Sequence, residues 1–311
     1  MKEYGLGPVE RGLEQGKGEK ELILEIAEKV GKFAKSQIGS EDFEKKIREL
    51  RDTTVEENPD QALLIDSLFE VRRVARIHET LNEYEKKKWT RAEKEMIKDT
   101  ILELTEWNFM ATELLKNADG DKEFASSFWR AYFDIYLTFS PRTKESMAHK
   151  KGIVGQVGVY NLLEGCGIKT SLASPKDDAF NKADLVCHLP SEEVQTQVKH
   201  TSRVDRPIIE ATDDIMIPPH RLKQGEKEET FISAKDMEEM IGLKASCKEI
   251  ARRTGRETRG LYIAMPVGSM DGDTGEIKPE FLEQLKEEIG NKLPQDREHA
   301  TIDDLMEKWG K

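Results

Sequence analysis

The sequence predicts a helical bundle followed by an α/β domain, and three observations carry that reading. Apolar residues recur at spacings of three and four from residue 21 to residue 139. Beyond residue 168, short segments rich in β-favouring residues take over, one of them alternating apolar with polar. Between the two regimes Ser140-Pro141-Arg142 reads as a helix stop, and the charged run 144–151 as a linker.

A chain of 311 residues suits two domains. Its 49 Lys and Arg against 61 Asp and Glu leave a net charge of −12, which argues against a protein coated in nucleic acid. The charge is uneven: residues 146–268 carry 18 Lys and Arg and 18 Asp and Glu, so the acidic excess lies in the flanks. No apolar run approaches the roughly 20 residues that cross a bilayer. The amino terminus, MKEYGLGPVERG, lacks the apolar core of a signal peptide. A cytoplasmic protein without a membrane partner is therefore expected. Cys166, Cys187 and Cys247 are widely spaced and form no CxxC pair, so they read as small buried residues, not as a disulfide framework or a zinc site.

In chain order, residues 1–20 are Gly-rich and charged and read as a loose tail. Residues 21–142 read as the bundle. Leu22, Ile23, Ile26, Val30 and Phe33 start the helical spacing, and residues 62–77 and 96–115 repeat it. Breaks at Gly39-Ser40, Asn58-Pro59 and residues 117–121 divide the region into about five helices. The last of them carries an aromatic stripe of Phe124, Phe128, Trp129, Tyr132, Phe133, Tyr136 and Phe139. Such a stripe serves either as a platform for stacked bases or as packing surface, and packing is favoured because exposed patches of that size are rare. Trp107 on the preceding helix is expected to meet it.

The second part, residues 146–268, reads as a helix over 152–164, a strand over 168–172, a polar loop, two hairpin strands, a helix over 243–253 and a strand over 261–267. The order is αβββαβ. An insertion over 203–240 carries Asp213-Asp214, Pro218-Pro219-His220-Arg221 and a charged run from Lys223. It reads as a substrate-contacting flap or as a plain surface excursion. Residues 269–311 read as a C-terminal helical extension, with helices over 279–289 and 301–309 after the turn GSMDGDTGE. That turn lacks the full ligand pattern of a calcium loop.

The hairpin KADLVCHLPSEEVQTQVKHTS, residues 182–202, carries the chemistry. The period of two places Gln195, Gln197 and Lys199 on one face of its second strand. With a loop over 190–193, Asp184 falls opposite Lys199 and Gln197 lies one diagonal step away. An acid, an amide and an amine on one patch suit a divalent metal and a phosphodiester. The Asp184 carboxylate, the Gln197 side-chain carbonyl and the Val198 main-chain carbonyl are oxygen ligands, and the Lys199 ammonium steers water or balances phosphate charge.

An Asp followed by a strand ending in Gln197-Val198-Lys199 resembles the PD-(D/E)XK, or restriction-endonuclease-like, nuclease superfamily, in the Gln-x-Lys form of Mrr-type restriction endonucleases. The αβββαβ order extends the resemblance over residues 150–268. The resemblance implies a metal-dependent endonuclease, a hydrolase of DNA phosphodiester bonds of restriction or repair type, with Mg²⁺ as cofactor and Mn²⁺ as substitute. It implies catalytic Asp184, Gln197 and Lys199, and a metal-facing residue on the first helix, for which Gln156 is favoured over Glu164. His200, Thr201 and Arg221 are then candidate substrate contacts. DNA is the implied partner, a homodimer would suit double-strand cutting, and the bundle offers surface for a protein partner. Gln197 and Ala183 depart from the commonest acid and proline, and the glutamine removes one negative charge from the metal site. A nuclease fold kept as a non-catalytic DNA-binding or assembly module is the alternative, and RNA is not separated from DNA. Arg252, Arg253, Arg256 and Arg259 read equally as a phosphate-facing cluster or a solvated helix end.

Overall fold

The computed structural model describes residues 15–35, 45, 47–52, 59–84, 90–201, 206–212 and 234–293. Long helices come first: α1 (Gln15–Lys35), α2 (Pro59–Tyr84), α3 (Arg91–Asn117) and α4 (Lys122–Phe139). Residues 47–52 are also helical. The amphipathic stripes close on one another, burying Ile23, Ile26, Leu64, Leu68, Trp107 and Phe128. Local chemistry sets the ends. Thr90 and Glu93 form a reciprocal capping box at the start of α3, and the Asp121 carboxylate accepts the Glu123 and Phe124 N–H groups ahead of α4.

The aromatic stripe of α4 is packing surface. Phe124, Phe128, Trp129, Tyr132 and Tyr136 are buried, and Phe133 and Phe139 lie against the same core. Trp107 does meet the stripe, its ring 5.4 Å from that of Tyr132.

Two expected boundaries move. Residues 15–20, read as tail, already belong to α1. Residues 144–151, read as a linker, form the first half of one continuous helix, α5 (Thr143–Gly165). No residue there forbids helix, and both halves find a surface: His149 packs on Tyr132 of the bundle, while Val154 and Val157 enter the α/β core. One apolar cluster accordingly runs from Leu22 to Leu293 across both parts.

The rest of the described chain is β1 (Thr170–Leu172), α6 (Pro175–Asn181), β2 (Leu185–His188), β3 (Glu192–Thr201), β4 (Ile208–Ala211), α7 (Ala234–Thr254), β5 (Glu257–Pro266) and α8 (Pro279–Lys292). The expected polar loop holds α6, with Ser174 as N-cap and Pro175 in the first turn. The expected insertion contributes β4 and the first third of α7. Its His220, Arg221, Lys223 and Asp213-Asp214 lie outside the described residues, as does the expected helix over 301–309.

The strands form one mixed sheet in the order β1-β2-β3-β5-β4. β1, β2 and β3 are an antiparallel meander, β5 runs parallel to β3, and β4 closes the edge antiparallel to β5. Parallel neighbours need a crossover, and α7 lies on that connection. Helix α5 covers one face so closely that a Cβ on Gly155 would stand 2.9 Å from the His200 Cβ. The GSMDGDTGE segment is a turn, with Asp271 Oδ1 accepting the N–H groups of Asp273 and Thr274. It presses on α5 backbone to backbone: a Cβ on Gly158 would lie 2.5 Å from the Gly275 carbonyl oxygen, so glycine is required there.

Candidate active site

The strand period decides which residues share a face. On β3, Val198 and His200 turn toward α5, whereas Gln195, Gln197 and Lys199 turn to the other face, beneath α7. That second face continues on β5 as Gly260, Tyr262 and Ala264, the register partners of Gln195, Gln197 and Lys199. Tyr262 and Ala264 pack against Met240 of α7.

The hairpin register differs from expectation by two residues. Leu185 pairs with Thr196 and His188 with Glu193, because the turn closes tightly, with the Leu189 N–H donating to the Glu192 carbonyl at 3.1 Å. A two-residue shift keeps every side chain on its expected face and moves Asp184 from Lys199 to the level of Gln197. The Asp184 N–H donates to the Thr196 carbonyl at 2.8 Å. Its carboxylate is held at both oxygens: Oδ2 accepts the Val198 N–H at 2.6 Å, and Oδ1 accepts Gln156 Nε2 at 2.7 Å.

Gln156 therefore reaches Asp184, as the choice over Glu164 requires, but as a donor. Its Oε1 accepts the Thr112 hydroxyl at 3.1 Å. The oxygen by which Gln156 was expected to face a metal is thus turned to α3, and its amide nitrogen to Asp184. Glu164 instead accepts the Thr170 N–H at the far end of α5.

His200, a candidate substrate contact, is not brought together with Lys199. It sits on the α5 face, opposite to Lys199, with Nδ1 3.2 Å from the Lys151 carbonyl, and burial pushes its pKa below the usual imidazole value. Thr201 ends β3 on the Lys199 face, and its carbonyl accepts the Val267 N–H at 2.9 Å. The arginine cluster is mostly spent on ion pairs: Arg252 with Glu249 at 2.7 Å, Arg256 with Glu193 at 2.6 Å and Arg259 with Glu192 at 2.8 Å. Cys187 and Cys247 are buried and Cys166 is half-buried, all three as free thiols.

Sequence reasoning missed two acids. Glu239 of α7 reaches over the sheet to place Oε2 3.1 Å from Lys199 Nζ; the approach is an ion pair off the axis of a hydrogen bond. Asp178 of α6 is half-buried, and burial together with the Asp184 charge pushes its carboxyl up to about 8, against partial relief from Lys199 and Lys182. Burial also raises the Asp184 carboxyl, opposed first by Lys199 and then by the Val198 and Gln156 donors.

The face holds two amide oxygens that have found no donor. Gln195 and Gln197 are 5% and 4% exposed, and the Oε1 of each is enclosed without a hydrogen-bond partner. A buried acceptor left unpaired costs about 1–3 kcal/mol, which a fold retains where the group has another use. Among the described residues no three His, Cys, Asp or Glu side chains form a metal-binding group. The oxygens present, from Asp184, Gln197 and the Val198 main chain, are hard donors and fit Mg²⁺ or Mn²⁺ with water completing the shell, not a softer metal.

Comparison with protein-family models, with curated proteins and with solved structures returns no match.

Proposed function

We propose that the protein is a metal-dependent nuclease that hydrolyses DNA phosphodiester bonds at the face shared by Asp184, Gln197 and Lys199. One observation carries the reading: the Asp184 carboxylate is fixed against β3 at Gln197-Val198, while Lys199 extends from the same face one step along the strand. The topology supports it, because an antiparallel β1-β2-β3 meander followed by a helix and a strand parallel to β3 is the αβββαβ order of the restriction-endonuclease-like superfamily, with β4 added at the edge.

In this reading Asp184 and the Gln197 Oε1 would hold Mg²⁺, and the Val198 carbonyl would offer a third oxygen. The bound ion supplies Lewis-acid stabilisation of the phosphate and a more acidic water. The chain's own work is to orient Asp184 through Gln156 and the Val198 N–H, donors that oppose the rise that burial imposes on its carboxyl. Lys199 brings an ammonium to where negative charge grows on the phosphate. In the free chain that ammonium lies 3.1 Å from Glu239 Oε2.

The test is incubation of wild type and Lys199→Ala with supercoiled, linear, single-stranded and branched DNA in Mg²⁺, Mn²⁺ or EDTA. Metal-dependent nicking that falls roughly 100-fold in the variant is the expected result. Wild type that leaves every form uncut would sink the reading.

The neutral Gln197 and the engagement of Lys199 by Glu239 favour a second reading, a nuclease-like fold used as a DNA-binding or assembly module. DNA binding that persists in EDTA without any cleavage would select it.

A further inference from the structure

A lysine ammonium ends a flexible stem, and its position is set by what it meets. Lys199 meets little on its own sheet. Both oxygens of Asp184 are engaged elsewhere, Oδ2 by the Val198 N–H and Oδ1 by Gln156. Ala264, the register partner of Lys199 on β5, has no group that could hold a charge. Among the described residues the ion partner of Lys199 is Glu239 of α7, whose Oε2 lies 3.1 Å from Nζ.

That acid is placed by the seat of its helix. A Cβ on Gly260 would stand 2.9 Å from the Leu243 Cγ, so α7 lies close on β5 there. Met240, fully buried, packs on Tyr262 and Ala264. Glu239 precedes Met240 and comes to the ammonium from above the sheet. Its Oε2 is enclosed and accepts no hydrogen bond, so the ammonium is the charge that offsets it. The two side chains keep 34% and 22% of their surface exposed, which leaves the pair open to a phosphate from solvent. A carboxylate in this position acts twice on an incoming phosphodiester: it holds the ammonium in place, and its own charge offsets part of the attraction.

We infer that Glu239 is the positioning residue of Lys199: it fixes the ammonium where charge grows on the phosphate, and it weakens the hold on substrate in doing so. This rests on the nuclease reading above. It adds to that reading a residue of the crossover helix, outside the strand motif, which acts through Lys199 and not on the substrate itself.

Steady-state nicking of supercoiled DNA by the full chain in Mn²⁺ tests it, with thermal melts to establish that each variant is folded. Glu239→Gln keeps the shape and removes the charge. Its kcat should fall roughly 10-fold, because the ammonium is no longer held. Its KM should fall as well, roughly 3-fold, because phosphate no longer competes with a carboxylate for Lys199. Lost folding would lower the active fraction and leave KM alone. Glu239→Asp keeps the charge and shortens the reach by one methylene, so it should hold the KM of the parent and lose kcat. In a Lys199→Ala background, Glu239→Gln should change kcat less than about 2-fold, since a residue that acts through Lys199 has nothing left to act on. Unchanged kcat and KM in Glu239→Gln, or its full effect persisting without Lys199, overturns the inference while the nuclease reading stands. If Glu239→Gln does not fold, Glu239→Asp decides, and a kcat equal to the parent's overturns the inference. A parent that cuts no DNA overturns both together.

Discussion

Two clusters of buried polar side chains among the described residues differ in whether their hydrogen bonds are complete. In the bundle, His149 donates from Nε2 to Asn108 Oδ1 and accepts at Nδ1 from the Tyr132 hydroxyl. His78 lies edge-on to His149, with Nδ1 2.9 Å from the Tyr136 hydroxyl. One neutral tautomer of His149 satisfies both of its neighbours. Under α7 the sheet instead carries Gln195 and Gln197 with orphaned oxygens. Burial alone therefore does not mark a site; a closed network holds a core together, whereas an open one waits for something.

The largest effect expected on stability comes from opening the closed network. His149→Ala would leave a cavity among Trp107, Tyr132 and His78 and strip partners from Asn108 and Tyr132. A loss of about 3–5 kcal/mol in urea unfolding is expected; a loss under 1 kcal/mol would mean that water fills the gap and the network is not structural.

Acid probes the same cluster next. Burial holds His78 down to about 4 from its ordinary 6.5, and holds His149 well below the usual value, where His78 adds repulsion. A base whose folded pKa is depressed contributes its stability fully above pH 6.5 and loses it as the pH falls toward 4. For His78 that amounts to about 3 kcal/mol. His78→Gln removes this titration, so its stability should fall less steeply than the parent's between pH 6.5 and 4. Parallel curves would show that His78 charges without cost.

Much of this architecture is legible in the sequence because it is local. The helical spacing gives α1 to α4, Asn58-Pro59 and Asp121 mark their ends, and the alternation in β3 puts Gln195, Gln197 and Lys199 together. Thr90 and Glu93, and Ser174 with Pro175 and Asp177, are capping signals that local reading had within reach. What escaped was set at a distance. The hairpin register depends on how tightly the turn closes at Pro190-Ser191, and the continuity of α5 on surfaces offered to its two halves by the bundle and by β3. β4 is four residues long and exists by pairing with β5. Glu239 meets Lys199 from 40 positions away because α7 crosses the sheet there, and no spacing rule reaches that far.

The smallest effect has the most telling sign. Gln197→Met keeps the length and volume of the side chain and removes the amide that has no donor for its oxygen. If that oxygen is merely tolerated, or held in place for a ligand, its removal relieves a desolvation cost, and the variant should be more stable than the parent by about 1 kcal/mol in EDTA. A lowered stability would mean that Gln197 already contributes a net favourable interaction to the folded chain, and would move it into the same class as His149. The stabilised outcome must be joined by a second measurement, because relief alone does not distinguish tolerance from use. With Mn²⁺ added, the parent should gain stability and Gln197→Met should gain less, so the order of the two melts narrows or reverses. An order unchanged by the ion would make Gln197 a tolerated defect of the sheet and leave Asp184 to act without it.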